Sequence, residues 1–329
     1  MGSGPPGLAP ITAVDYHTGG EPFRIVTGGV EEPRGATILE RRRDALARLD
    51  HVRRLLVHEP RGHADMYGCH VVPPNDDGAD LGVVFFHNAG YSTACGHGTI
   101  ALVTWALDEG LLAREEGENH VVVDVPSGRL ETWARVENGR VRAVRFRNVP
   151  SFVWGEELEA AGRPVDVAFG GAFYASVEER IEPRELPRLI DLGRELKRSL
   201  EAAHEVVHPL EPELRDVYGV IFWQREGTSP LTQRNVTVFA DGEVDRSPCG
   251  SGTSARLALL DRSGELPRGE ELRHLSIVGS EFRGRVVGEA EVSGIPALVT
   301  EVEGSAHRTG EHVFTLDRDD PLGEGFLLR

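Results

Sequence analysis

The sequence predicts an α/β fold built twice over, with one site shared between the copies. Three observations carry that expectation. Cys95-Gly96-His97-Gly98-Thr99 recurs as Cys249-Gly250-Ser251-Gly252-Thr253, and the match extends in register through Ala101 and Ala255, Gly110 and Gly264, and Leu112 and Leu266. The segments around each copy follow one order: hairpin, helix, strands, Cys-Gly turn, helix, strands. At 329 residues the chain is also longer than most single cores, so two domains are the natural prior.

In the first half, the apolar run 11–14 and a second strand at 23–26 flank Gly19-Gly20, which reads as a tight hairpin connection. A helix is expected over 37–56, with Leu46, Leu49, Val52, Leu55 and Leu56 supplying the apolar spacing and its arginines forming a solvated face. Residues 61–68 place His63, Asp65 and Tyr67 between glycines without helical period. Two readings stay open there, a site-lining loop or a polar turn between strands. Cys69 opens a buried strand at 69–72 and reads as a small structural hydrophobe. A continuous apolar strand at 81–86 leads through 87–93 to the first Cys-Gly turn, whose helix is expected over 99–112. Strands at 121–125, 129–136 and 141–149, separated by Pro126-Ser127-Gly128 and Glu137-Asn138-Gly139, close this half near residue 150.

The second half opens with strands at 165–169 and 173–177 around Gly170-Gly171, echoing the first hairpin. A helix over 186–204 carries Leu189, Leu192, Leu196 and Leu200 on one face. Strands at 217–223 and 235–239 deliver the chain to Asp245-Arg246-Ser247-Pro248-Cys249, and a helix follows over 253–260.

Composition narrows the function classes. A net charge of −17 argues against a nucleic-acid partner, which needs a basic face. No apolar run approaches the ~20 residues of a membrane helix. Met1-Gly2-Ser3-Gly4-Pro5-Pro6 lacks the basic region and apolar core of a secretory signal. Three cysteines without paired spacing suit reduced thiols in a cytoplasm, and no local cysteine–histidine spacing suggests a metal.

A cysteine at a helix N-terminus meets free N–H groups and the positive end of the macrodipole, which lower a thiol pKa and attract an anion. Inverting a carbon stereocentre needs a base on one face and an acid on the other. Two thiols can supply both, since an ordinary pKa of about 8.5 comes within reach of neutrality once lowered. The same helix ends could hold a substrate carboxylate and stabilise the charge gained when the α-proton leaves. A redox pair is the other use of two thiols, but the chain has no Cys-x-x-Cys. From pattern alone His97 either tunes Cys95, contacts substrate or caps the helix. Asp245 either binds an amine, holds Arg246 or caps the turn before Pro248.

Asp15-Tyr16-His17-Thr18-Gly19-Gly20-Glu21-Pro22, Asn88-Ala89-Gly90-Tyr91, Cys95-Gly96-His97-Gly98 and the segment from Asp245 to Thr253 resemble the proline racemase family. That family includes hydroxyproline 2-epimerases and trans-3-hydroxy-L-proline dehydratases. The resemblance implies the diaminopimelate-epimerase-like α/β fold: two pseudo-symmetric domains, each a curled sheet around a central helix, with the site in the cleft. On this basis residues 1–150, with 305–329, form the domain carrying Cys95, and residues 151–304 the domain carrying Cys249. It implies no cofactor and no metal. Cys95 and Cys249 would be the catalytic acid/bases. Gly96, His97, Gly250 and Ser251 would contact the substrate carboxylate, Asp245 the ring nitrogen, and Phe239 would be an apolar pocket wall. The expected partner is proline or hydroxyproline, with neither nucleic acid nor membrane, and a homodimer is one possible assembly.

The resemblance divides at the subfamily level. Residues 49–56, 61–68 and 91–93 look like the dehydratases, which typically carry threonine where this chain has Cys249. A threonine hydroxyl cannot act as a second base at neutral pH, and a cysteine can. The catalytic pair therefore favours a racemase or epimerase, with a dehydratase as the alternative. A non-catalytic amino-acid-binding protein on the same scaffold is a second alternative, which retention of both thiols argues against.

Overall fold

The computed structural model describes residues 9–317 and 319–328, so the N-terminal residues read above for a secretory signal lie outside it. β1 (Ile11–Thr18) and β2 (Glu21–Gly28) pair antiparallel around Gly19 and Gly20, whose positive φ angles of 58° and 96° make the tight turn. The chain continues through α1 (Ile38–Arg48) and α2 (Asp50–Val57) to β3 (Tyr67–Val72), which lies parallel to β2. After β4 (Leu81–His87) and β5 (Gly90–Tyr91), α3 (Gly96–Asp108) crosses to β6 (Gly117–Val125), parallel to β4. The strands β7 (Gly128–Glu137) and β8 (Arg140–Arg147) complete an antiparallel meander with β6.

The second half repeats these connections. β9 (Phe152–Ala160), β10 (Arg163–Phe169) and β11 (Phe173–Glu178) are antiparallel neighbours, and α4 (Leu186–Ala203) crosses to β12 (Val217–Thr228), parallel to β11. β13 (Leu231–Phe239) and the short β14 (Glu243–Asp245) lead to α5 (Gly250–Ser263), which crosses to β15 (Glu271–Leu275), parallel to β13. Then β16 (Glu281–Val292) and β17 (Ile295–Gly304) form a hairpin, and β18 (Ala306–Phe314) returns to pair with β1. Parallel neighbours need a crossover, and helices supply one at the same two places in each half. β17 pairs with β8, so the strands of both halves join in one continuous sheet. α3 is buried from Gly96 to Leu107 and α5 from Gly250 to Leu260, as expected of a helix enclosed by a curled sheet. Among the described residues no helix is long and apolar enough to cross a membrane.

Several elements differ from the sequence reading. The helix expected over 37–56 is two helices, because Leu49 (φ −113°, ψ 8°) leaves helical geometry and both closes α1 and starts α2. Its arginines are not simply a solvated face. Arg53 is buried, and its guanidinium donates to the carbonyls of His87 and Asn88 while pairing with Asp50 at 2.6 Å. Arg41, also buried, donates to Pro73 O at 2.6 Å. The two Cys-Gly helices begin three residues earlier than expected, at Gly96 and Gly250, and α3 ends at Asp108 rather than 112. β9 has no counterpart in the sequence reading, since Gly155 and its three exposed glutamates hide the period-2 signal of a strand.

Replacing Arg53 by alanine removes the donor from two buried carbonyls, and each unsatisfied group costs about 1–3 kcal/mol. We therefore expect Arg53→Ala to lower unfolding stability by about 2–4 kcal/mol in urea titration. Arg53→Lys, which cannot fork between two carbonyls, should recover only part of that. A loss within about 0.5 kcal/mol would return Arg53 to the solvated face.

Candidate active site

The N-termini of α3 and α5 meet end to end. A Cβ placed on Gly96 would lie 2.6 Å from Gly250 Cα, and one on Gly250 would lie 2.7 Å from Gly96 Cα, with Phe146 under both. Only glycine allows backbones to approach so closely. The second glycine of each motif instead makes room for sulfur. A Cβ on Gly98 would fall 2.6 Å from Cys95 Sγ, and one on Gly252 would fall 2.8 Å from Cys249 Sγ. The threonines close the turn, Thr99 Oγ1 donating to Cys95 O at 2.9 Å and Thr253 Oγ1 to Cys249 O at 2.7 Å. Cys-Gly-x-Gly-Thr thus encodes a helix start that places a sulfur at its mouth and tolerates a second helix against it.

Cys95 and Cys249 are the N-cap residues of the two helices, only 5% and 6% exposed, and neither forms a disulfide. Gly98 N–H donates to Cys95 Sγ at 3.2 Å, and the His97 ring lies 3.4 Å from the same sulfur. That ring stands edge-on to Phe23 and Tyr67. Its Nδ1 is 4.0 Å from Asp245 Oδ2, so a residue of the first half faces one of the second. Cys249 adopts φ +63°, costly for a residue with a Cβ, and its N–H donates to Ser247 Oγ at 3.1 Å. Asp245 Oδ1 in turn accepts from Ser247 N–H at 2.7 Å, which is the turn-capping reading of that residue. Tyr174 OH sits 3.9 Å from Cys249 Sγ and 2.7 Å from Ser251 Oγ. The Phe239 ring packs against Tyr67, His87 and Tyr218. All eight residues expected from the sequence therefore lie on or beside this junction.

The protonation states differ from the sequence expectation. Helix ends alone predict a lowered pKa for both thiols. Instead burial pushes the Cys95 thiol well above its ordinary value, opposed by the Gly98 N–H and reinforced by Asp245 and Glu21. Burial, with Asp245, pushes Cys249 up to about 12 against the Gly252 N–H. One N–H per sulfur does not offset the loss of water. Burial also raises Asp245 to about 6, against its hydrogen bonds from Ser247, and lowers His97 to about 3, leaving its ring neutral.

Other residues of the site carry weaker signals in the sequence. Glu21 lies in the first of the family-like segments without an assigned role. It is fully buried, accepts Arg246 N–H at 2.7 Å through Oε2, and leaves Oε1 without a partner. Burial and Asp245 push its carboxyl well above the usual range. Tyr174 and Tyr218 sit in strands that read as ordinary core, so nothing local marks them. The open choice over 61–68 resolves toward the site: Tyr67 bonds Ser92 and, at 2.9 Å, Tyr218, while Asp65 pairs with Arg246 at 3.1 Å. Cys69 is buried in β3, and burial alone raises its thiol. Among the described residues no group of three or more His, Cys, Asp or Glu is arranged to hold a metal ion.

The curled mixed sheet with two enclosed helices, whose Cys-Gly starts face each other, is the diaminopimelate-epimerase-like α/β fold. The family follows directly: the proline racemase model matches residues 13–327, and the chain belongs to that family. It is 43% identical over 326 residues to a trans-3-hydroxy-L-proline dehydratase of Bacillus thuringiensis subsp. konkukian, covering 96% of this chain and 98% of that one. It is 45% identical over 332 residues to a 3-hydroxyproline 2-epimerase of Burkholderia multivorans, covering 97% and 98%. The crystal structure of a hydroxyproline epimerase from Agrobacterium vitis with bound trans-4-hydroxy-L-proline superposes with a TM-score of 0.89 at 31% identity, covering 97% and 96%.

Because both thiols lie above their ordinary pKa, the thiolate fraction at neutral pH is small and grows about tenfold per pH unit. Iodoacetamide modification of Cys95 and Cys249, followed by peptide mass spectrometry, should accelerate from pH 7 to pH 10 without levelling. A plateau below pH 8 would mean a preformed thiolate and contradict the burial argument.

Proposed function

We propose that this chain is a cofactor-independent proline or hydroxyproline 2-epimerase in which Cys95 and Cys249 exchange the α-proton. The observation that carries the reading is that both copies of the motif keep their cysteine, each at the mouth of a helix whose end abuts the other. In the proposed reaction the substrate carboxylate accepts backbone N–H groups at Gly96, His97, Gly250 and Ser251. Asp245 takes the ring ammonium, and Phe239 walls the ring. Whichever thiol is ionised removes the α-proton, and the electron pair passes into the carboxylate, where the same N–H groups stabilise the second negative charge. The other thiol delivers its proton to the opposite face. The enzyme ends with thiol and thiolate exchanged, and no other group is consumed. Ammonium binding also neutralises the Asp245 charge that holds both thiols up. The same reading divides the chain into residues 1–150 with 305–329 and residues 151–304, supported by the pairing of β18 with β1.

The second reading, a trans-3-hydroxy-L-proline dehydratase, is favoured by the relatives of that name, which are as similar as the epimerase. It shares α-proton removal by one thiolate. It then expels the C3 hydroxyl and needs no proton donor on the far face.

Proton NMR in deuterated buffer separates the two. We expect deuterium incorporation and inversion at Cα for trans-4-hydroxy-L-proline or proline, neither of which has a C3 hydroxyl to lose. Cys95→Ser or Cys249→Ser should abolish inversion, and Cys249→Thr should suppress it while keeping any elimination from trans-3-hydroxy-L-proline. Conversion of that substrate alone, with loss of water and no inversion of the others, overturns the epimerase reading.

The pH profile gives an independent check. Asp245, with its carboxyl raised to about 6, is neutral below that pH and cannot hold the ammonium. The value of kcat/KM should therefore fall more steeply once pH drops through 6, Asp245 adding about tenfold per unit to the slope that the thiols already impose. A slope that does not change on crossing pH 6 would remove Asp245 from that role.

A further inference from the structure

Of the two motif cysteines, Cys249 has the strained backbone, with φ +63° against −154° at Cys95. A residue with a Cβ keeps that conformation only where its surroundings hold it. The carbonyls on either side of the Cys249 Cα are both tied by side chains, drawing on β13 and β15, the parallel pair that α5 connects. Asn235 of β13, fully buried, donates through Nδ2 to Pro248 O at 3.0 Å and to Leu275 O at 3.2 Å. Thr253 Oγ1 lies 2.7 Å from Cys249 O and 2.8 Å from Nδ1 of His274, a fully buried residue of β15.

A threonine hydroxyl has a single hydrogen, and the two contacts of Thr253 Oγ1 fix where it goes. The pair of oxygens at 2.7 Å is a hydrogen bond only if that hydrogen lies between them, as it does where Thr99 Oγ1 donates to Cys95 O at 2.9 Å. Thr253 Oγ1 therefore accepts from His274, which donates from Nδ1. Burial, with Arg256 nearby, lowers His274 to about 3, so the ring is neutral and carries its one N–H on Nδ1. Nε2 is buried without a partner. Among the described residues, the bond to Thr253 is the ring's one hydrogen bond.

The duplication supplies the comparison. β6 stands to α3 as β15 stands to α5, and its buried apolar positions are Val121, Val123 and Val125. Among the described residues, the Thr99 side chain alone reaches the Cys95 carbonyl. An apolar strand thus suffices to bury such a helix, whereas a buried imidazole loses its water for one hydrogen bond in return. The histidine stands in the half whose cysteine is strained.

We propose that His274 is a positioning residue for Cys249. Its Nδ1–H, through the Thr253 hydroxyl, holds the Cys249 carbonyl and so keeps the strained helix start and its sulfur at the mouth of α5. The effect on turnover rests on the function proposed above, and the effect on the sulfur does not. His274 acts only through Thr253 and moves no proton.

Asparagine and glutamine separate this bond from mere filling of space. The asparagine amide nitrogen falls where Nδ1 lies, whereas that of glutamine falls where Nε2 lies, although glutamine is closer to histidine in volume. The ratio of Cys249 to Cys95 alkylation by iodoacetamide, read by peptide mass spectrometry, should shift about threefold or more in His274→Leu and His274→Gln and stay within about twofold of wild type in His274→Asn. In the active enzyme, kcat should fall about tenfold in His274→Leu and His274→Gln with KM within about twofold, and His274→Asn should restore most of it. Imidazole nitrogen NMR of the wild type, with the signal assigned by its loss in His274→Gln, should show the Nδ1–H tautomer at pH 7. If His274→Leu fails to fold, the comparison of asparagine with glutamine stands without it. A glutamine variant that matches the asparagine one in the alkylation ratio, an unchanged kcat in active His274→Gln enzyme, or an Nε2–H tautomer overturns the proposal. A chain that turns over no proline derivative overturns the proposed function instead, while the alkylation ratio and the tautomer still decide the role of His274.

Discussion

The site depends on one contact, the backbone of Gly96 against the backbone of Gly250. Two helix N-termini pressed together bring two positive dipole ends into one buried volume, an arrangement that is unfavourable unless negative charge lies between them. Asp245 and Glu21 supply negative charge nearby; burial pushes both up toward neutrality, and Asp245 pushes Glu21 further. On the proposed reading a substrate carboxylate between the two helix mouths accepts the N–H groups that a helix start leaves without intrahelical partners. The same crowding that makes an anion site also excludes water from the sulfurs, which is why their pKa values rise rather than fall.

The duplicated architecture is legible in the sequence because every fixed position of Cys-Gly-x-Gly-Thr has a steric or hydrogen-bonding role, and those roles recur in both halves. Even the more distant match of Gly110 with Gly264 is structural: both adopt left-handed φ, 73° and 72°, just past the helix ends. What the sequence does not display are effects imposed by the other half. The helix-end rule for thiols is local and correct in direction at Gly98 and Gly252, but burial comes from residues such as Phe23, Tyr67 and Tyr174 that lie far away in the chain. Arg41 and Arg53 mislead for the same reason. An arginine that donates to carbonyls of a distant loop has the same helical spacing as one in solvent. β9 escapes because its strand geometry is set by pairing with β10 rather than by its own alternation.

Similar in fold, the two copies are unlike in chemistry. Cys95 sits in extended backbone at φ −154° with an imidazole against its sulfur, whereas Cys249 is held at φ +63° with a tyrosine hydroxyl nearby. The third motif position decides this, His97 in one copy and Ser251 in the other. His97 is neutral, so it can take either role in a hydrogen bond with sulfur. Ser251 instead ties Tyr174 into place. Each half therefore supplies a sulfur with its own support.

That asymmetry matters on the two-thiol reading because the sulfurs also act on each other. Cys249 is among the charges that raise Cys95, so removing one proton makes removal of the second harder. Groups coupled in this way titrate as a pair, and the pair holds at most one negative charge over a wide pH range. A site with one thiolate and one thiol is then the natural charged state, and it is the state that acid on one face and base on the other require. Full burial, which at first opposes catalysis by raising each thiol, is also what makes this coupling strong, since water between the sulfurs would screen it.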